Sequence, residues 1–229
     1  MTSRKCSPFT GVWQEPDMSQ CNNTEWITRE LKNITIKGID EENFEPVSTK
    51  FLYISEKSVY FKKEDIDLAV VVLEKMVPLT SNVSVNITLN NVLPSINSMI
   101  NTPEKILFEA EQFNRSVNRI LDIIETIPEQ IPLGEQSVTA LYSNLGIGAA
   151  KVEKDTFNGL TYAVSYGTNE TEASTEIHQD SDSKIDDTMD FISLPKSLLK
   201  HMKDEELLNI SRISMVSLRD DKLYRVTQI

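Results

Sequence analysis

The chain is poor in the residues that carry most chemistry. Its 229 residues include two cysteines, two histidines and seven glycines. His178 and His201 have no cysteine or second histidine at metal-ligand spacing, which argues against a zinc site of familiar pattern. His201-Met202-Lys203-Asp204-Glu205 lacks the second histidine of a zincin helix, and Gly146-Ile147-Gly148 lacks the third glycine of a dinucleotide loop. No Gly-x-Ser-x-Gly elbow or phosphate-cradling loop is present. No apolar run reaches the length that spans a bilayer, and Met1-Thr2-Ser3-Arg4-Lys5 is followed by no apolar leader core. Basic clusters are missing too: nothing exceeds Lys62-Lys63 against a formal charge of -12, so phosphate backbones and anionic lipid are repelled and nucleic acid is excluded as a partner.

What is present is an ordinary globular composition, 39% hydrophobic and 25% charged, enough for one sizeable core or two modest ones. The code along the chain has two halves. Trp26, Ile27, Leu31 and Ile34 share one helical face, and Ile66, Val70, Leu73 and Val77 share another, with Glu64 and Asp65 at its positive start and Pro78 as its stop. A further helix runs around Val92, Ile96, Met99 and Ile100, with Pro94 in its first turn. Thr102-Pro103-Glu104 then reads as a helix start, and Ile106, Ala110, Phe113, Val117, Ile120, Leu121, Ile124 and Ile127 hold the 3.6 period to Pro128, predicting one long helix with a core-facing stripe.

After Pro132 the period breaks, Gly134, Gly146, Gly148 and Gly159 appear, and short β-type runs alternate with turn signals. Asn158-Gly159 predicts a hairpin between 149–156 and 160–166. Residues 189–194 read as a strand, and 212–219 is expected to pair with 222–227 across Asp220-Asp221. Residues 167–188 are acidic and polar, which predicts a solvated insertion. Calcium binding through Asp180 and Asp182 is disfavoured, because the glycine and closing glutamate of an EF-hand loop are missing.

Two features bear on the compartment. Asn-x-Ser/Thr acceptors stand at Asn22, Asn33, Asn82, Asn86, Asn114, Asn169 and Asn209. Roughly three would arise by chance, so the excess favours a secreted or lumenal chain and makes these asparagines glycosylation candidates. Cys6 and Cys21 are disulfide candidates. Bridged to each other they would close a loop worth about 3 kcal/mol in the chain-entropy model. The alternative is a pair of free buried thiols in an intracellular protein.

Between those cysteines lie Gly11-Val12-Trp13 and Pro16-Asp17-Met18-Ser19, with Trp26 just beyond. This stretch resembles the last strand and closing cysteine of the hormone-receptor domain of adhesion G-protein-coupled receptors, with Met18 where that family usually has leucine. Later segments are similar to the same family in the same order. Residues 51–77 resemble the helical subdomain of its GAIN domain, and Phe157-Asn158-Gly159-Leu160-Thr161-Tyr162 resembles an early hairpin of the GAIN sandwich. Ile192-Ser193-Leu194-Pro195 resembles the strand ending in Leu-Pro, and Arg212 to Val216 with Lys222-Leu223-Tyr224 resembles the hairpin that follows.

The resemblance implies an α+β chain in three parts. Residues 1–25 would be the tail of a hormone-receptor-like domain, 26–132 a helical subdomain, and 133–229 a partial antiparallel β-sandwich with an acidic mobile loop at 167–188. It implies cysteine partners upstream of Cys6, hence an internal piece of a longer receptor whose leader and membrane helices lie elsewhere. It also implies location on the extracellular side of the plasma membrane. The expected partners are extracellular protein ligands and the receptor's own seven-helix membrane domain, and a sandwich of this extent is expected to be loosely held toward residue 229. The family's self-cleavage tripeptide His-Leu-Ser/Thr is not in this sequence, since Gln179 follows His178 and Met202 follows His201, so no catalytic, cofactor-binding or metal residue is assigned. The competing reading from another class is an acidic intracellular helical scaffold that binds proteins.

Overall fold

The computed structural model describes residues 24–134, 137–167, 172–186, 189–202 and 210–228. Cys6, Cys21, the Gly-Val-Trp and Pro-Asp-Met-Ser motifs, and the acceptors Asn22, Asn169 and Asn209 lie outside the described residues. The arrangement is α+β: helices fill the first part and two three-stranded antiparallel sheets follow.

The helices are α1 (Glu25–Lys37), α2 (Phe44–Ser55), α3 (Lys63–Met76), α4 (Val85–Ile87), α5 (Leu93–Ile100), α6 (Glu104–Asn114) and α7 (Ser116–Gln130), with a π-type turn at Thr88–Val92 joining α4 to α5. On α1 the buried Ile27, Leu31 and Ile34 sit at i, i+4 and i+7, the spacing of one face. Helix α3 is central: Ile66, Ala69, Val70, Val72, Leu73 and Met76 are all buried, and it packs against α1, α6 and α7. Its start is held by the fully buried Asp65, whose carboxylate accepts the Lys62 N–H at 2.8 Å and the Thr28 hydroxyl at 2.5 Å. One acid thus neutralises the positive helix end and fastens α1 to it.

The long helix expected over 103–127 is two helices. Arg115 between them adopts the left-handed conformation, φ 52° and ψ 36°. Apolar spacing cannot reveal such a break, because one left-handed residue reorients the axis without altering which positions are apolar. Polar groups stabilise it. Glu111, almost fully buried, accepts the N–H groups of Val117 at 2.9 Å and Asn118 at 3.0 Å, and also the Asn118 side-chain amide. It acts as the cap that Arg115 cannot supply. The reorientation turns Phe113 out of the stripe: it is 72% exposed, with the Lys63 ammonium 3.3 Å from its ring centroid. Pro103 flanks α6 as its cap residue, and Pro128 is accommodated in the last turn of α7, which continues to Gln130.

The strands are β1 (Ser137–Leu141), β2 (Leu145–Lys151), β3 (Leu160–Ser165), β4 (Ser174–His178), β5 (Asp190–Leu194) and β6 (Arg212–Leu218). One sheet has the order β1-β2-β6 and the other β4-β3-β5. Strand β2 is buried on both faces, which its alternation serves. Leu145 and Ile147 join the helical core, while Gly146, Gly148 and Ala150 face β3 of the other sheet. The Tyr162 ring occupies the room those glycines leave: a Cβ on Gly146 would stand 2.8 Å from Tyr162 Oη, and one on Gly148 3.0 Å from the ring carbons. Gly-Ile-Gly is therefore a packing device in a strand.

Three strand expectations are corrected. Asn158-Gly159 does not join a hairpin, because β2 and β3 belong to different sheets and the segment crosses between them. The positive φ of Gly159, 98°, serves a close approach instead: an added Cβ would lie 2.8 Å from Leu194 O and 2.8 Å from Ser181 N. Residues 174–178, inside the polar stretch read as an insertion, form β4 and pair with β3. Residues 222–227 are not a strand: β6 pairs with β2, and Lys222–Thr227 is a helix, α8, with Leu223 and Val226 buried at i and i+3. Six residues with apolar positions at 223, 224 and 226 fit either period, and the core decides. In that helix Leu223 and Val226 are 1% and 2% exposed and join the helical core.

Candidate functional site

Among the described residues no group of three or more His, Cys, Asp or Glu side chains is placed to hold a metal. His178 and Glu176 share one face of β4 and form a 2.8 Å contact at the surface. Asp180 accepts the Asp182 N–H at 2.9 Å, a local turn. The backbone of His201 ends a short 3-10 turn, Leu198–His201, that follows strand β5. No helix of the described residues is long and apolar enough to cross a membrane. The features that remain are surfaces and the joints that hold them.

Two cationic clamps fix strand β6 to the helices. At its start the Arg212 guanidinium donates to the carbonyls of Pro128 (3.1 Å), Glu129 and Ile131 (2.6 Å) around the C-terminal end of α7. Just past its end the Lys222 ammonium donates to the carbonyls of Ile100 (2.7 Å) and Thr102 (2.6 Å), at the end of α5. Cations suit these positions because helix C-termini carry unpaired carbonyls and partial negative charge. Burial lowers the pKa of both groups. Sequence reasoning missed these residues, since their partners lie 81 to 122 positions away. An open cleft of about 930 Å³ lies beside the Arg212 clamp, lined by Glu129, Ile131, Lys151, Glu153 and Arg212.

Among the described residues, exposed apolar side chains gather at two places on the surface. Trp26 of α1 lies 5.9 Å from Tyr53 of α2, centroid to centroid, and Lys57 sits over the other partner of that pair, 5.9 Å from the Tyr53 centroid. Tyr53, Val59 and Tyr60 are exposed near it along the same chain segment. On the second sheet, β5 is an edge strand whose consecutive Phe191 and Ile192, on opposite faces, are both more than half exposed.

The acceptor asparagines within the described residues, Asn33, Asn82, Asn86 and Asn114, are all exposed. Their surroundings differ. The Asn82 amide donates to Glu41 at 2.7 Å, and the Asn114 amide donates to Asp67 at 2.7 Å. The tyrosines near the sheets are structural: half-buried Tyr142 donates to Leu89 O, half-buried Tyr166 donates to Ser217 O, and burial raises the Tyr162 phenol to about 12.

No family model matches the chain. In sequence it is similar to Adhesion G-protein coupled receptor G6 of Danio rerio, 23% identical over 209 residues, which cover 91% of this chain and 16% of the receptor. In fold it is similar to the full extracellular region of zebrafish Gpr126/Adgrg6, with a TM-score of 0.65 at 21% identity, over 97% of this chain and 27% of that chain. The chain thus spans about a sixth of the length of the curated relative and about a quarter of the solved one. Both findings bear out the resemblance to the extracellular part of an adhesion G-protein-coupled receptor.

Proposed function

We propose that this chain is a segment of the extracellular stalk of an adhesion G-protein-coupled receptor, with residues 26–132 as the helical subdomain of a GAIN-type domain and 133–229 as part of its sandwich. Residues 1–25 would close a hormone-receptor-like domain, with Cys6 and Cys21 in disulfides. In this reading the segment meets protein ligands outside the cell and transmits their binding to the receptor's seven-helix domain, and it performs no reaction of its own. Signalling through a G protein is a property of the whole receptor.

The observation that carries the reading is a likeness that runs along nearly the whole chain, in sequence to an adhesion receptor and in fold to an adhesion receptor's extracellular region. The surface supports it: each acceptor asparagine within the described residues is exposed, as glycosylation requires. The clamps at Arg212 and Lys222 would serve transmission, since they tie the β1-β2-β6 sheet to the helices at both ends of β6. The test is expression behind a secretory leader. The proposal expects secreted protein that collapses through a ladder of bands on glycosidase treatment, and intracellular aggregation without any such shift contradicts it.

A further inference from the structure

Three of the described acceptor tripeptides fall into two kinds according to where their hydroxyl lies, while in Asn33-Ile34-Thr35 the hydroxyl is half-buried and donates to Lys32 O at 2.8 Å. In Asn114-Arg115-Ser116 the asparagine is exposed, yet Ser116 is fully buried and its hydroxyl donates to Asp67 at 2.6 Å. The same carboxylate takes the Asn114 amide through its other oxygen. Both ends of the tripeptide are thus gripped by one side chain, and left-handed Arg115 between them keeps it compact. In Asn86-Ile87-Thr88 the asparagine is again exposed, while Thr88 is fully buried and its hydroxyl meets no hydrogen-bond partner among the described residues. Asn82-Val83-Ser84 is the opposite case as regards the hydroxyl: Asn82 and Ser84 are both exposed, and the bond from the Asn82 amide to Glu41 lies at the surface.

N-glycosylation needs the hydroxyl as well as the asparagine, which is why the acceptor motif specifies Ser or Thr. In the transfer, the Asn carboxamide nitrogen attacks the anomeric carbon of a polyprenyl-pyrophosphate-linked oligosaccharide. A carbon–nitrogen bond forms, the carbon–oxygen bond to pyrophosphate breaks, the lipid pyrophosphate leaves, and the nitrogen's proton passes to a base of the transferase. A hydroxyl buried under α3 or in the π-type turn after α4 cannot be reached for that step.

Resting on the secretory reading above, we infer that Asn114 and Asn86 accept a glycan only before the α6–α7 junction and the α4 segment have packed, whereas Asn82 stays open in the folded protein. Occupancy of the first two is then a record of folding: a chain that folds ahead of the transferase leaves them bare. Once attached, a sugar on Asn114 is compatible with the fold, since the substituted amide keeps one N–H for Asp67.

The test uses the full chain produced sugar-free in bacteria, incubated with purified oligosaccharyltransferase and lipid-linked oligosaccharide, with occupancy of each site read by mass spectrometry. Three proteins are compared: the wild type, Asp67→Ala, and Ile120→Asp, which places a charge in the core and opens α7. Ile120→Asp is expected to raise Asn114 and Asn86 occupancy by about tenfold or more, the ratio expected when modification waits on local opening. Asp67→Ala is expected to raise Asn114 severalfold and leave Asn86 unchanged. Asn82 should be modified alike in all three. Equal Asn114 occupancy in wild type and Ile120→Asp, whether high or low, overturns the inference. Asn82 left bare in the wild type by the transferase also overturns the inference, whereas failure of the secretory reading is seen separately, as protein expressed behind a leader that carries no sugar at any acceptor.

Discussion

Replacing Gly146 by alanine probes the contact on which the two sheets depend. The added Cβ would stand 2.8 Å from Tyr162 Oη, 3.3 Å from Leu141 Cδ1 and 3.4 Å from Val164 Cγ2. The first distance is much the shortest, and the other two call for a shift of only a few tenths of an ångström, so the main clash is with one oxygen. That oxygen ends a ring held between the sheets and 2% exposed, and it cannot swing away. Overpacking of this kind costs about 1–3 kcal/mol. Alanine recovers part of it, about 0.4–1 kcal/mol, by restricting the unfolded chain. The net expectation is a loss of about 1–2 kcal/mol, which lowers the melting temperature of a chain this size by about 2–8 °C. Tyr162→Phe removes the offending oxygen and leaves the ring. In that background Gly146→Ala should cost less than about 0.5 kcal/mol, so a double-mutant cycle should give a coupling near 1 kcal/mol. Urea unfolding of the four proteins, followed by far-UV circular dichroism, measures all the terms. An equal cost of Gly146→Ala in both backgrounds would refute the contact, and with it the packing of β2 on β3.

Three further outcomes are expected. Arg212→Met frees three carbonyls around the end of α7 and should lower stability by about 1–2 kcal/mol, since charged hydrogen bonds are worth more than neutral ones but this one is partly solvated; a loss below the error of chemical denaturation would contradict the clamp. Burial depresses the folded-state pKa of Lys222, so the unfolded chain binds more protons between that value and the ordinary lysine range, and stability rises with pH there. Melting curves from neutral to strongly alkaline pH should therefore show wild type gaining on Lys222→Met as pH rises, and the opposite slope would show the ammonium to be better stabilised folded than free. Glu111→Ala removes the acceptor of the Val117 and Asn118 N–H groups and should speed hydrogen exchange at those two amides by about tenfold, the equivalent of one lost cap; unchanged protection there would place the cap elsewhere.

The helical half was largely readable because its apolar residues repeat at one period over several turns: Ile27, Leu31 and Ile34, or Ile66, Val70 and Leu73, face the core as their spacing requires. The failures share a cause. Arg115 breaks a periodic run, and what stabilises the break is polar, from Glu111 and Asp67. Asn158-Gly159 supplies a positive φ, as its chemistry indicates, but local chemistry cannot tell a hairpin from a crossing between sheets. In 222–227 the run is too short to carry a period, and docking of Leu223 and Val226 in the helical core selects the helix. Of the candidate site, the exposed acceptor asparagines were legible as a motif. The burial of Ser116 and Thr88 was not, because a hydroxyl's environment is a property of the fold.

The central claim is that these residues stand on the outer side of a membrane. Peptide mapping of the native protein before and after N-glycosidase treatment tests it most directly, because the enzyme converts each sugar-bearing asparagine to aspartate. That conversion is expected at Asn82, with Cys6 and Cys21 recovered as disulfides. Unmodified asparagine at every acceptor, together with free thiols at both cysteines, would contradict it.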